Sequence, residues 1–309
     1  MSGLDLRFQP GNTLPQVDPP RSPRETLPTM YDLPSEYPEE PGLPDEFHDL
    51  QPQLLSRTLY LPHYGRENWF SASDLNVYYD VNHALWHKRP DWFLAVGVSR
   101  LYEGKALRRS YVTWQEGASP YIVVEFLSPG TERDDLGRFY QSQTPGAENL
   151  QTKAEQPPGK LEIYERYLRV PHYIVYSRHS QQLRYFQLTG GVYKERELQA
   201  GNCAIWLTDL EIGLGIWQGE FEDIPGYWLR WCDQDGTWLL TDTEQERQEK
   251  EQERQEKEQE RQEKEQERQE KEQSQTQLLQ AAHNLLATGM PLEQVIELLA
   301  LSDEQVQQL

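Results

Sequence analysis

Residues 244–271 are four identical copies of Glu-Gln-Glu-Arg-Gln-Glu-Lys, and none of the seven positions is apolar. A period of seven normally marks a coiled coil, but the apolar seam that draws helices together is missing. The spacing instead pairs charges along one helix. Glu246 leads Lys250 by four residues and Arg247 leads Glu251 by four, each pair adding ~0.2–0.5 kcal/mol to an isolated helix. The segment reads as a solvated helical rod, so any core must be built from the rest of the chain. A spacer without a specific ligand is the plain reading of such a rod, and a partner-binding stalk is the sharper one.

The rest divides by composition. Ten of the 21 prolines fall within residues 1–50; proline removes a backbone donor and biases its predecessor away from helix. Residues 1–57 are therefore expected to form an acidic, mostly extended and weakly packed arm, and residues 58–241 a folded domain. The rod spans 242–273. In 274–309 an apolar stripe of Leu278, Leu279, Ala282, Leu285 and Leu286 predicts a helix ending near Gly289, and Val295, Ile296, Leu298 and Leu299 predict a second. Ser302 and Gln305 have capping-box spacing for a last turn. Such a hairpin cannot bury its own face, so it is expected to pair with a second copy, giving a homo-oligomer, or with the core. A DNA-reading helix-turn-helix is disfavoured, because 274–309 contain no Lys or Arg to meet phosphate.

The formal charge of −21 is unevenly placed. The arm, rod and hairpin carry most of it, leaving residues 51–241 with 23 acids against 19 bases. This excludes a basic nucleic-acid coat protein but not an enzyme acting on nucleic acid. Cys203 and Cys232 are too few for a disulfide framework and lack CxxC spacing, which suits a reducing compartment. The N-terminus has no basic start followed by an apolar stretch, and no window approaches ~18 consecutive apolar residues. The expectation is a cytoplasmic protein with no membrane attachment.

Within the folded domain, short apolar runs at 92–98, 110–114 and 121–127 read as strands. Residues 161–168 read as a helix stopped by Pro171, and 172–176 as another strand. Strand, helix, strand in that order predicts a crossover between two parallel strands. Residues 183–197 read as a hairpin turning at Gly190-Gly191.

Glu125 is the most telling residue of this region, because it interrupts an apolar strand. A carboxylate buried on both faces of a sheet costs several kcal/mol, roughly, unless a cation or hydrogen bonds compensate it. A second acid, Asp91, directly precedes the strand at 92–98. Two carboxylates converging from neighbouring strands, joined by a Lys, make a minimal site for a hard divalent cation and a nucleophilic water. Lys160, at the start of the following helix, can supply that Lys and would orient or deprotonate the water, or stabilise charge on a phosphate. Asp74, in the strand before Asp91, is a further candidate for the edge of the site. Tyr164, one helical turn after Lys160, could hydrogen-bond it. His83 and His87 stand four apart but lack the adjacent Glu of a zinc-protease helix, and Gly97, Gly104 and Gly117 form no phosphate-cradling loop.

Residues 69–80, 89–93, 123–131, 160–164 and 170–173, taken together and in order, resemble the Uma family of restriction-endonuclease-like proteins, abundant in cyanobacteria. The resemblance covers approximately residues 58–240. It implies an α/β fold of the PD-(D/E)xK nuclease type, a mixed sheet flanked by helices, here with a charged helical stalk and a helical hairpin appended. It also implies Mg²⁺-dependent, or Mn²⁺-dependent, hydrolysis of phosphodiester bonds. On this resemblance Asp91 is the Asp of the Pro-Asp element and Glu125 the acid of the second element, both metal ligands. The superfamily pattern places a Lys two residues beyond that acid, where this chain has Leu127; the family draws the Lys from the next helix, and Lys160 matches. The leading expectation is an endonuclease acting on nucleic acid, DNA foremost, with weak and salt-sensitive binding. The alternative is a non-catalytic module that keeps the nuclease fold and assembles through its helical tail.

Overall fold

The computed structural model describes residues 45–128, 130–140 and 157–309. The chain divides into two compact units, 1–241 and 242–309. In the first, helix α1 (Glu46–Arg57) precedes strands β1 (Trp69–Ala72), β2 (Val77–Tyr78), β3 (His87–Lys88), β4 (Trp92–Val96) and β5 (Tyr111–Val112). Helix α2 (Thr113–Glu116), β6 (Ile122–Phe126), α3 (Glu132–Leu136) and α4 (Lys160–Glu162) follow, and α4 runs on as a π-helical turn (Ile163–Tyr167). Strands β7 (His172–Ser177), β8 (Gln182–Thr189), β9 (Val192–Arg196), β10 (Ile205–Leu207), β11 (Ile212–Phe221) and β12 (Ile224–Cys232) complete the unit.

The central sheet has the order β1-β4-β6-β7-β8-β9. Its β6–β7 pair is parallel and its other pairs are antiparallel, so it is the mixed sheet expected, with the crossover between 126 and 172. Every residue of β6 is buried, which is why this strand reads as an apolar run, broken only at Glu125, rather than an alternation. Side chains still alternate between its faces. Ile122, Val124 and Phe126 point into a core shared with Leu54 and Leu55 of α1 and with the second sheet, β10-β11-β12. Val123 points the other way, into a core shared with Leu161, Ile163, Tyr164 and Tyr173. Glu125 lies two residues beyond Val123 and therefore faces α4.

The structure departs from the expectations in four places. Residues 46–57, read as part of an extended arm, form α1 and bury Phe47, Leu54 and Leu55. Asp45 caps the helix by accepting the His48 N–H (3.1 Å), and Gln51 bonds both the N–H and the carbonyl of Leu229; proline density hid a helical spacing of apolar residues. The remainder of the arm, 1–44, lies outside the described residues. The run 110–114 pairs only at Tyr111 and Val112, in a small sheet β3-β2-β5, and then turns into α2, which ends on Gly117 at φ 75°. The two cysteines, too few for a framework, are nonetheless joined: Cys203 and Cys232 form a disulfide with Cα atoms 6.1 Å apart. The return of β12 beside residue 203 makes neighbours of positions 29 apart in sequence, which linear spacing does not reveal.

The fourth departure is one charge pair of the second unit. Helix α5 (Asp242–Ala287) runs unbroken through residue 274 and is followed by α6 (Leu292–Leu299) and α7 (Asp303–Val306). Glu–Lys pairs form with the acid four residues ahead, as at Glu253–Lys257 (2.5 Å) and Glu260–Lys264 (2.5 Å). Glu251, however, pairs with Arg254 (2.8 Å) three residues on, not with Arg247. Ala282, Val295 and Leu301 form a small core lined by Leu278, Leu285 and Ile296. Ser302 and Gln305 bond reciprocally as a capping box. Among the described residues no helix is long and apolar enough to cross a membrane.

Candidate active site

The site begins with strand register. Trp92 of β4 stands opposite Val124 of β6, so one step outward Asp91 stands beside Glu125. Asp91 Oδ2 accepts the Phe126 N–H at 2.6 Å, which fixes that carboxylate at the end of β6. From the other side comes Lys160, the first residue of α4. Its own N–H is capped by Asp134 Oδ1 (3.0 Å), whose second oxygen takes Lys88 Nζ (3.2 Å). A Cβ at Gly159 would stand 2.8 Å from Asp134 Oδ1, so a glycine lets the cap approach.

Lys160 Nζ donates to Glu125 Oε2 (2.9 Å) and lies 2.8 Å from Asp135 Oδ1. The Tyr164 hydroxyl, four residues on, donates to Glu125 Oε1 (2.6 Å). Glu125 and Asp135 are both 0% exposed. The Tyr173 hydroxyl holds the backbone of Asp135 through its carbonyl (2.8 Å). Neither carboxylate oxygen of Asp135 has a well-formed hydrogen bond; its charge is faced by the Lys160 ammonium.

Burial dominates the electrostatics. It pushes the Glu125 carboxyl up to about 7 and Asp135 up to about 6, and raises Asp91, in each case against the opposing pull of Lys160. Burial alone would lower Lys160, but Glu125, Asp135 and Asp91 outweigh it and hold its ammonium well above the ordinary lysine value. Three carboxyl groups thus face one ammonium, so their full ionisation would leave two negative charges uncompensated; Glu125 and Asp135 are sealed from water, while Asp91 and Lys160 stay partly exposed.

That imbalance fits a divalent cation, and an oxygen-only donor set suits a hard one. Among the described residues no three His, Cys, Asp or Glu side chains converge closely enough to hold a metal. Two carboxylates, Asp91 and Glu125, remain as donors. Two carboxylates suffice for a hard divalent cation that completes its shell with water and substrate phosphate.

Asp74 stands beside the strand end, its N–H donating to the Pro90 carbonyl (3.1 Å) at φ 53°, but its side chain is 60% exposed and turned to Arg89, whose Nε is 2.7 Å from its Oδ1. Arg108 is turned inward onto Glu116 (2.8 and 2.9 Å) and the carbonyls of Ser99 and Arg100, so it is not free to meet a phosphate. His83 pairs with Asp80 (2.7 Å) and stacks on Trp86.

Sequence reasoning missed two residues. Asp135 sits in a run of charged residues that looks solvated, and nothing in the run shows which acid turns inward. His48, hidden in the supposed arm, has Nδ1 2.8 Å from Asp45 Oδ1 and Nε2 3.3 Å from the Phe126 carbonyl. Burial would lower its pKa, but Asp45 and Asp91 together raise it.

Comparison with known proteins places the chain in a family. A family model, Uma2, described as "putative restriction endonuclease", matches residues 23–216. No protein of curated function matches the chain. Among solved structures, a "putative nuclease belonging to DUF820" from Anabaena variabilis aligns at 8% identity and a TM-score of 0.37, covering 64% of this chain and 86% of that one. The family match spans well over half of the sequence and includes Asp91, Glu125 and Lys160: the chain belongs to the Uma2 family of restriction-endonuclease-like proteins.

Proposed function

We propose that this protein is a metal-dependent endonuclease hydrolysing phosphodiester bonds, with DNA as substrate and Mg²⁺ or Mn²⁺ as cofactor. The observation that carries this reading is the convergence of Asp91, Glu125 and Lys160, from three separate elements, on one buried point. Asp91 and Glu125 would hold the cation, which when bound supplies charge neutralisation for the phosphate and an acidified water. The chain's own groups do the positioning. Tyr164 fixes Glu125 through Oε1, and Asp135 holds the Lys160 ammonium beside Oε2. Lys160, kept protonated by its three acids, orients the water and stabilises charge building on the phosphate oxygens rather than taking a proton from the water. Asp134 fixes the backbone of Lys160.

With 23 acids against 19 bases in 51–241 and Arg108 committed internally, binding to DNA rests on few cations and is expected to be weak and to fall steeply with salt. The test is incubation with supercoiled plasmid at low salt, with Mg²⁺, with Mn²⁺, or with EDTA. Nicking or linearisation in either metal and none in EDTA is expected. Absence of cleavage in both metals, on duplex DNA, single-stranded DNA and RNA alike, would overturn the reading.

A further inference from the structure

Apart from the acidic centre, the first unit has a cleft of about 420 Å³ between α1, the turn after β7, and β12. Its size suits a nucleotide-sized ligand. The walls are aromatic and apolar: Phe47 and Leu50 from α1, Tyr227 and Trp228 from β12. The Phe47 and Trp228 rings lie nearly parallel, 5.6 Å apart at 19°, and Tyr227 is 40% exposed. At the rim stand Arg178 and His179, with Glu46 also lining the cleft. Arg178 is held in place, its guanidinium 5.2 Å from the Phe47 ring centre and 2.9 Å from Asp45 Oδ2.

The cleft also carries an unmet demand. Trp228 is 4% exposed and its indole N–H has no hydrogen-bond partner. A Cβ at residue 226 would stand 3.0 Å from that nitrogen, so glycine there lets the indole pack close beneath the chain. The exposed Tyr227 ring for stacking, an aromatic floor of Phe47 and Trp228, and cations at the rim together match a base with its phosphate.

The position is equally specific. Glu125 pairs in register with Val175, and Arg178 follows three residues later along the same chain. His48, next to Phe47, reaches the Phe126 carbonyl. Cleft and acidic centre therefore lie at the same end of β6 and β7, on opposite faces of the sheet. We propose that the cleft takes an unpaired base of a nucleic-acid strand, with its phosphate on Arg178 and His179, while a neighbouring phosphodiester of that strand lies at Asp91 and Glu125. The second half of this inference rests on the nuclease reading. A base inside a duplex cannot enter without leaving its stack, so the site selects single-stranded or frayed substrate.

The test is fluorescence anisotropy of the full chain with a labelled 15-nucleotide single strand and with its duplex, at low salt in EDTA. The single strand is expected to bind more tightly than the duplex. Tyr227→Ala and Arg178→Gln, both at exposed positions, are each expected to weaken single-strand binding about tenfold with little change for the duplex. Equal affinity of the parent protein for both forms, or single-strand affinity unchanged in both variants, would overturn the proposal; the latter is also the outcome if the cleft takes a protein segment. Because EDTA removes cleavage from the readout, failure of the nuclease reading would show in the plasmid assay and failure of the cleft here.

Discussion

Replacing Glu125 by Gln is expected to lower metal-dependent cleavage by at least ~10³-fold, about 4 kcal/mol of transition-state stabilisation, while leaving the domain folded. The amide keeps an acceptor for the Tyr164 hydroxyl, and Lys160 keeps Asp135 at 2.8 Å, so no buried ammonium is stranded. Stability should change with pH in a defined direction. Burial raises the Glu125 carboxyl from 4.5 to about 7, so between those values the folded state binds more protons than the unfolded one. The parent protein without metal therefore loses stability as pH rises through that window, by ~3 kcal/mol at the upper bound. Glu125→Gln removes this contribution and should flatten the profile. Denaturant titrations of both proteins from pH 5 to 8 would show it; parallel profiles would mean that Glu125 is not held protonated by its surroundings, and undiminished cleavage would remove it from the mechanism.

Lys160→Met is expected to have the largest effect on stability. It leaves Glu125, Asp135 and Asp91 facing one another without a cation, and breaking a buried pair of this kind costs ~3–5 kcal/mol. The loss should be greatest near pH 8, where all three acids are driven to ionise, and smaller near pH 5.5, where protons replace the missing charge. Mg²⁺ or Mn²⁺ should restore part of the stability at pH 8 without restoring cleavage. Melting temperatures at the two pH values, with and without metal, check this. A variant as stable at pH 8 as the parent would show that Lys160 does not balance the acids.

How much of this was legible in the sequence depended on the reach of the signal. Strand β6 was plain because both its faces are buried, and Glu125 stood out against that apolar run. Asp91 could be placed because the residue before a strand lies at the sheet's end, but its proximity to Glu125 depends on the antiparallel register of β4 and β6, which no local pattern specifies. Lys160 could be offered only as the lysine opening the next helix, a place the family resemblance then matched, since 34 residues separate it from Glu125. Asp135 was beyond reach, because the fold alone decides which of two adjacent acids caps α4 and which turns inward. Helix α1 was concealed by composition: Pro52 and the prolines before it outweighed a correct helical spacing of Phe47, Leu54 and Leu55. Because α1 was lost, so were His48 and one wall of the aromatic cleft.

The central claim is that two acids from adjoining strands share one cation beside Lys160. Anomalous diffraction from crystals soaked in Mn²⁺ tests it most directly. A single strong peak bonded to carboxylate oxygens of both Asp91 and Glu125, with Lys160 Nζ adjacent, is the expected result. No peak there, with Lys160 still seated between Glu125 and Asp135 at saturating Mn²⁺, would contradict it.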